Sequence, residues 1–341
     1  MVNPNNPFDQ GEIEPIREMA RSFWYSAILR AAIKLNVFSI LDGAGLTAGE
    51  LAERISANPE FVGAFLEACQ VTGLLESSDG VYTNTGTTSR FLVAGKDRYV
   101  GDHALHHTNT WASWGMLDEL ILEGKTMLPF ETGFVDQNTY WTNYMMGQHN
   151  RAMSGQADHL VENLNLEGVE RLIDLGGGAA SYSMALCEAN PQLSAVVVDG
   201  PEPIAIARSF VAERGLEDRI SLIAGDFFEE DLGSDYDVAL ISGVVLIKSE
   251  QECRQLFDLA HGLLKPGGMV VVQDFMRIGR TQEQAKADVL ENLYVKVVFD
   301  PGASDRDGDE VASWLADAGF QDPRQIPIPA QLALITATKP D

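Results

Sequence analysis

The stretch that most constrains the fold is RLIDLGGGAASYS, from Arg171 to Ser183. A short apolar run, Leu172-Ile173-Asp174-Leu175, leads directly into Gly176, Gly177 and Gly178, and then into a segment able to start a helix. Such a run reads as a strand buried on both faces. Glycines immediately after it let the backbone turn tightly and come close to a ligand. In an open α/β sheet, this is where a nucleotide-like ligand sits.

From Leu166 onward the pattern alternates. Strands are predicted over Arg171–Leu175, Leu193–Asp199, Ile220–Ala224, Tyr236–Ile241 and Met269–Phe275, with helices over Tyr182–Ala189, Glu202–Arg214 and Gln251–Leu264 between them. Asn190-Pro191 and Lys265-Pro266-Gly267-Gly268 read as stop signals. Repeated β-α-β implies an α/β protein with a Rossmann-like, doubly wound parallel sheet. A helix over Val311–Ala318, ended by Gly319, and a strand over Leu332–Thr338 complete it.

The N-terminal part reads differently. Residues Asn3 to Glu14 are polar with two prolines and suggest a loose arm. Pro15 to Leu35 has helical periodicity, with Phe23, Trp24 and Tyr25 adding apolar bulk beyond one face. A helix apolar on most sides is covered by something, and a second copy of the chain fits. Thr47 with Glu50 forms a capping-box pattern, and Asn58-Pro59 opens another helix that Gly73 ends. Leu74-Leu75 and Val81-Tyr82 flank Ser77-Ser78-Asp79-Gly80, a hairpin signal. Helix, turn, helix, hairpin is a winged-helix outline. The helix that would read DNA carries Glu60 and Glu67, with no Lys or Arg between Asn58 and Leu75. Phosphates and base edges call for basic or amide side chains, so a dimerisation role is the better reading. The expected division is 1–98 for this domain, 99–165 for a helical connector lining an acceptor pocket, and 166–341 for the sheet domain. The connector is rich in Met, His and aromatic side chains, which suits both core packing and a pocket for a flat ligand.

A formal net charge of −26 argues against broad contact with nucleic acid or anionic membrane and favours a small-molecule partner. No apolar run approaches the roughly 20 residues that span a bilayer, and the N-terminus lacks the pattern of a signal peptide. Cys69, Cys187 and Cys253 have no metal-ligand spacing and read as reduced thiols of a cytoplasmic protein. No metal is expected.

Loops after successive parallel strands face one crevice. Here they offer the three glycines, then Asp199 about 20 residues on, where an acid contacting ribose would stand, then Asp226-Phe227, then Ser242-Gly243. The glycine spacing fits the dinucleotide fingerprint only loosely, and no Lys or Arg lies between Leu172 and Val198 to meet a pyrophosphate. A ligand with ribose and adenine but no phosphate fits better, and S-adenosylmethionine is such a ligand.

In this order and spacing, IDLGGGAASYS, VVVDGPEPI, AGDFFEEDL, YDVALISGVV and LLKPGGMVVVQDF resemble the class I S-adenosylmethionine-dependent methyltransferases. More narrowly, they resemble the two-domain small-molecule O-methyltransferases of caffeate, hydroxyindole and bacterial polyketide type. VFSILDGAGLTAGELAERI is similar to that family's dimerisation domain, so the likeness covers nearly the whole chain. It implies that Gly176 and Gly178 meet the methionine part, Asp199 the ribose, and Asp226 and Phe227 the adenine. Ser242 also belongs to the cofactor side, and Lys265 lies near the adenine or is a solvated charge. The expected acceptor is a small aromatic or polycyclic metabolite, the expected assembly a homodimer. On the acceptor side, His106, His107, Trp114, Tyr144, Met145, Met146, Asn292 and Lys296 are the expected contacts, with Trp111, Phe130, Tyr294 and Phe299 nearby.

One position departs from the family pattern. Its O-methylating members usually carry a His in an L-H-D-W pattern after the fourth strand, as base for the acceptor hydroxyl. Here Leu246 stands in that place and Ile247 in that of the acid. Either the base comes from elsewhere, with His149 first choice and His106 and His107 next, or the acceptor is a nucleophilic carbon or an ionised group needing only proximity. A relative that no longer transfers methyl groups is a further reading, and a ligand-sensing winged-helix regulator a remote one.

Overall fold

The computed structural model describes residues 10–279, 282–328 and 332–341; side chains are described from Gly11 on and, after Gly279, again from Lys286. The chain divides into two compact units, residues 1–108 and 109–341.

In the first unit, α1 (Gln10–Arg21) and α2 (Phe23–Lys34) replace the single helix expected from Pro15. The break falls at Ser22, whose hydroxyl donates to the Met19 carbonyl at 2.8 Å. The expected polar arm is helical from Gln10, and its residues 3–9 lie outside the described residues. Ile16, Met19, Phe23, Trp24 and Tyr25 stand exposed on these two helices. After α3 (Val37–Ile40) and β1 (Leu46–Thr47), the capping box forms as its residues dictate: the Glu50 carboxylate accepts from Thr47 N–H at 2.8 Å and the Thr47 hydroxyl from Glu50 N–H at 3.3 Å. It opens α4 (Ala48–Arg54), and Asn58 caps α5 (Pro59–Val71). The strands β2 (Leu75–Ser78) and β3 (Val81–Asn84) meet at Asp79-Gly80, both with positive φ, as a tight hairpin turn requires. The sheet order is β1-β3-β2. Phe38, Leu41, Leu51, Leu66 and Leu75 form the core of this winged-helix arrangement. Then come α6 (Gly86–Phe91) and α7 (Gly101–Asn109), which reaches the second unit.

The second unit opens with α8 (Trp111–Gly115), α9 (Leu117–Glu123), α10 (Gln137–Arg151) and α11 (Ala157–Asn163). Between the last two, Ala152–Gln156 forms a wide π turn with Gly155 at φ 133°. Then follow β4 (Arg171–Leu175), α12 (Ser181–Ala189), β5 (Ser194–Asp199), α13 (Pro201–Glu213), β6 (Ile220–Ala224), β7 (Tyr236–Ser242) and α14 (Glu250–Leu263). The chain ends with β8 (Leu264–Arg277), α15 (Gln282–Val298), β9 (Arg306–Asp307), α16 (Gly308–Asp317), β10 (Gln321–Pro327) and β11 (Leu332–Thr338). The sheet runs β10-β11-β8-β7-β4-β5-β6, parallel from β8 to β6, with β11 antiparallel to β8 and to β10. Alternate residues of β4 enter opposite layers. Ile173 and Leu175 pack with Phe257 and Trp314 on one face, Leu172 with Met184 and Val211 on the other. This two-sided burial explains why the strand reads as a continuous apolar run.

Two elements differ from expectation. Lys265-Pro266-Gly267-Gly268 ends α14, yet Leu264 already pairs with Tyr236, so β8 starts five residues before the predicted Met269. The edge strand β10 was not expected, because QDPRQIP is mostly polar and carries two prolines; in the sheet it is mostly exposed, and its register shifts between Gln321 and Arg324.

Candidate active site

The carboxyl ends of β4, β5, β6 and β7 come together around the glycine loop. Gly176 has φ 80° and Gly178 φ 56°, both in the left-handed region where glycine is at no disadvantage. A Cβ on Gly176 would lie 2.6 Å from a Val244 methyl and 4.0 Å from the Phe227 ring. On Gly177 it would lie 2.6 Å from both an Asp174 carboxylate oxygen and a Val197 methyl, which makes Gly177 a packing glycine. Gly178 faces the Met145 sulfur. Asp199 ties the loop to the next strand end, since its oxygens accept from Gly178 N–H and Gly200 N–H, each at 2.7 Å. Burial pushes its pKa up, against those two bonds. Each oxygen keeps a second lone pair, so the carboxylate can still accept from a ribose hydroxyl. Asp226 accepts from Phe228 N–H at 2.9 Å, and the Phe227 and Phe228 rings meet edge-on at 4.7 Å.

Behind the loop, Asp174 is fully buried and accepts from the Ser183 hydroxyl at 2.6 Å, while its other oxygen has no hydrogen-bond partner among the described residues. Burial raises its pKa to about 7, with the Ser183 bond opposing. Ser242 accepts from the Gln273 side-chain amide at 3.2 Å. These residues fit S-adenosylmethionine: a close backbone approach at two glycines, a carboxylate at the end of the neighbouring strand, an aromatic ring, and no phosphate-binding cation among them. Lys265 is placed elsewhere. It pairs with Asp237 at the start of β7, at the opposite end of the sheet.

The acceptor side is built from α8, α10, α15 and the end of β8. Tyr140, Tyr294, Val295, Val298 and Leu246 are buried together, with Trp114, Phe130, Trp141, Phe275 and Phe299 packed against them. Tyr144 lies 5.7 Å from Phe299 and stacks on Tyr140 at 6.4 Å. Burial raises the Tyr144 phenol well above its ordinary value, so it stays protonated at neutral pH. Leu246 sits in this cluster, its N–H donating to Asp274 at 3.1 Å. Asp274 also accepts from Phe275 N–H at 2.8 Å, and burial lifts its pKa to about 6.

The two sides share α10, which presents a different face to each. Met145 and His149, four residues apart, lie on the face toward the glycine loop. His149 Nδ1 bonds the Ser181 hydroxyl at 2.8 Å and its ring stacks on Phe210 at 4.1 Å. Burial, aided by Arg214, lowers its pKa to about 4. Tyr140, Tyr144, Gly147 and Arg151 share another face by their i, i+4, i+7, i+11 spacing. Met146 is half-buried. Lys296 donates to the carbonyls of Pro301 and Ala303 at 2.9 and 2.8 Å, and Asn292 accepts from the Ser304 hydroxyl at 3.0 Å, so both brace the loop after α15. His106 and His107 lie on α7 in the first unit, their rings 5.2 Å apart, with His103 at 4.6 Å from His107.

Sequence reasoning passed over three charged groups that burial brings within reach of one another, Asp274, Arg151 and Glu291. Asp274 had a signal: a carboxylate ending VVVQDF obeys the same strand-end rule as Asp199, applied to one more strand. Arg151 and Glu291 had none, because nothing marks which charge on a helix faces inward.

Fold and crevice together define a methyltransferase. Residues 114–321 match the O-methyltransferase domain, and residues 17–94 match the O-methyltransferase dimerisation domain, so the chain belongs to this family. It is an S-adenosylmethionine-dependent methyltransferase and a homodimer. The regulator and non-methylating readings find no support. Among similar proteins, 3-hydroxy-5-methyl-1-naphthoate 3-O-methyltransferase of Streptomyces sahachiroi is 28% identical, with 91% of this chain and 90% of that one covered. The tetracenomycin polyketide synthesis 8-O-methyl transferase TcmO of Streptomyces glaucescens is 28% identical, with 95% and 96% covered. L-tyrosine C(3)-methyltransferase of Streptomyces lavendulae is 28% identical, with 79% and 76% covered. The crystal structure of human N-acetylserotonin methyltransferase with S-adenosylmethionine shares the fold, with a TM-score of 0.86 at 22% identity over 99% of this chain and 100% of that one. Among the described residues, no helix is long and apolar enough to cross a membrane.

Proposed function

We propose that this enzyme methylates an oxygen or carbon of a small aromatic or polycyclic metabolite, and does so without a histidine base. Leu246 carries the reading: where the family's base is expected stands a buried aliphatic side chain inside an aromatic cluster. His149 is a weak candidate for the missing base. Its Nδ1 is engaged with Ser181, its ring lies against Phe210, and a pKa near 4 leaves little affinity for a proton. We assign it to packing beside the glycine loop. The cofactor supplies an activated methyl group on a sulfonium, so proximity and a dry pocket suffice for an acceptor that is already nucleophilic. Gly176, Gly178, Asp199, Asp226, Phe227 and Ser242 are the proposed cofactor contacts. Tyr144, Met145, Met146 and Trp114 are proposed to flank the acceptor, with Asn292 and Lys296 shaping the loop beside it. The naphthoate, polyketide and tyrosine named for the relatives are all aromatic or polyketide compounds, which agrees with this acceptor class. A cytoplasmic enzyme of secondary metabolism is the setting we propose.

The test is incubation with methyl-labelled S-adenosylmethionine and a panel of phenols, hydroxyquinones and enolisable polycyclic ketones. Label on oxygen or carbon of an acidic member supports the reading. Full cofactor binding without label on any member overturns it.

A further inference from the structure

Arg151 is the last residue of α10, on the same face as Tyr140 and Tyr144. Its guanidinium lies 4.6 Å over the Phe275 ring. Phe275 packs into the aromatic cluster that holds Leu246. Arg151 is half-buried, and among the described residues its side chain makes no hydrogen bond and no ion pair within 4.0 Å. Its charge acts on Asp274, Glu291 and Tyr144, and on Tyr182 of α12 beside the glycine loop, while its place over Phe275 sets it beside the aromatic cluster. The two acids do not neutralise it by contact. Both Asp274 oxygens already accept backbone N–H bonds, and Glu291 lies beyond ion-pair distance. In a chain of net charge −26, a guanidinium held on an aromatic face with its donors unspent is a feature that needs a partner.

We propose that Arg151 binds an anionic oxygen of the acceptor, and that the enzyme selects aromatic acceptors carrying an acidic group such as a ring carboxylate. The planar fork of the guanidinium matches a carboxylate with two parallel hydrogen bonds. The contact with Phe275 holds the fork beside the aromatic cluster against which a flat acceptor would lie. The same positive charge stabilises an ionised phenol or enol on that acceptor. This explains how transfer proceeds with Leu246 in place of a base: the acceptor arrives with its proton already lost to solvent, and Arg151 holds it in that state. The inference rests on the acceptor reading above, but concerns binding and is testable apart from transfer.

The experiment measures binding of hydroxybenzoates and hydroxynaphthoates, each paired with its methyl ester, to the full-length enzyme saturated with S-adenosylhomocysteine, by calorimetry. The acids are expected to bind at least about tenfold tighter than their esters. Arg151→Gln removes that preference, Arg151→Lys restores part of it, and neither changes S-adenosylhomocysteine affinity more than about twofold. Equal binding of acid and ester, or no binding of any acid, overturns the proposal. So does a large loss of S-adenosylhomocysteine affinity in Arg151→Gln, which assigns the guanidinium to the cofactor's own carboxylate. Label transfer in the same samples reports separately on the methyltransfer reading: acids that bind but accept no label count against that reading and not against Arg151.

Discussion

On the cofactor side, Asp199, Gly178 and Gly200 are joined by hydrogen bonds from backbone N–H groups. On the acceptor side, Tyr144, Phe299, Tyr294 and Leu246 are brought together by ring contact and burial. The first arrangement is specified by main chain and short range: one strand end, one tight loop, the next strand end. The second is assembled from side chains of segments far apart in the chain. A site of the first kind recognises one ligand and tolerates few substitutions. A site of the second kind can be repacked for new acceptors while the fold persists.

The largest effect is expected from breaking the first side. Asp199→Ala removes the acceptor of two charge-assisted bonds and the proposed ribose contact. S-adenosylmethionine affinity should fall by roughly a hundredfold or more, at about 1.5–3 kcal/mol for each bond to a charged group. Calorimetric titration checks this, and an unchanged dissociation constant would remove Asp199 from the site.

Gly176→Ala is next. It places a Cβ within 2.6 Å of Val244 at a φ of 80°. A left-handed residue with a side chain costs roughly 1–2 kcal/mol before the clash is counted. A drop in melting temperature together with weaker cofactor binding is expected. Phe130→Leu and Trp114→Phe should instead alter acceptor preference, read as ratios of kcat/KM, at constant cofactor affinity.

The helix between the two sides sets a pH dependence. The His149 pKa is lowered to about 4 in the folded state, from an ordinary value near 6.5. Between those values the unfolded chain binds the proton and the folded chain does not, so stability is lost as pH falls from about 6.5 to 4. Asp174 and Asp274 act in the opposite sense: their raised pKa values, about 7 and about 6, make the folded state hold protons that the unfolded chain has released. Their contribution is fully present below about 4 and is lost as pH rises through 6 to 7. Comparing urea melts at pH 7.5 and 5, His149→Gln should reduce the acid-induced loss by roughly 1–2 kcal/mol. An identical pH slope in wild type and variant would contradict the buried neutral ring.

The smallest effect is expected where the family pattern is restored. Leu246→His adds a base at the family's position. For an acceptor already ionised at neutral pH it should change kcat by less than about threefold, against the 10²–10⁴-fold that general base catalysis typically supplies. A large gain would show that the native acceptor carries a proton that must be removed.

Much of this was legible beforehand, for local reasons. The apolar strand β4, the glycines at positive φ, Asp199 at a strand end, the Thr47 box and the Asp79-Gly80 turn each depend on residues close in sequence. Their conformational demands are written in residue type and spacing. The expected Asn3–Glu14 arm and the single helix from Pro15 were misread in part, because Pro15 sits inside α1 and the break falls at Ser22.

What the sequence alone determined, then, is the parallel sheet, the order of its strand ends and, through the family they resemble, the cofactor. Backbone geometry in a buried parallel sheet leaves those positions few alternatives. Only the tertiary structure decided which side chains meet on the acceptor side. It turned His149 toward Ser181 and Phe210, tied Lys296 to the carbonyls of its own loop, paired Lys265 with Asp237, and left Arg151 over Phe275. The direction of a helix-borne side chain depends on how the whole helix rolls against its neighbours, and that is fixed by contacts between segments far apart in the chain.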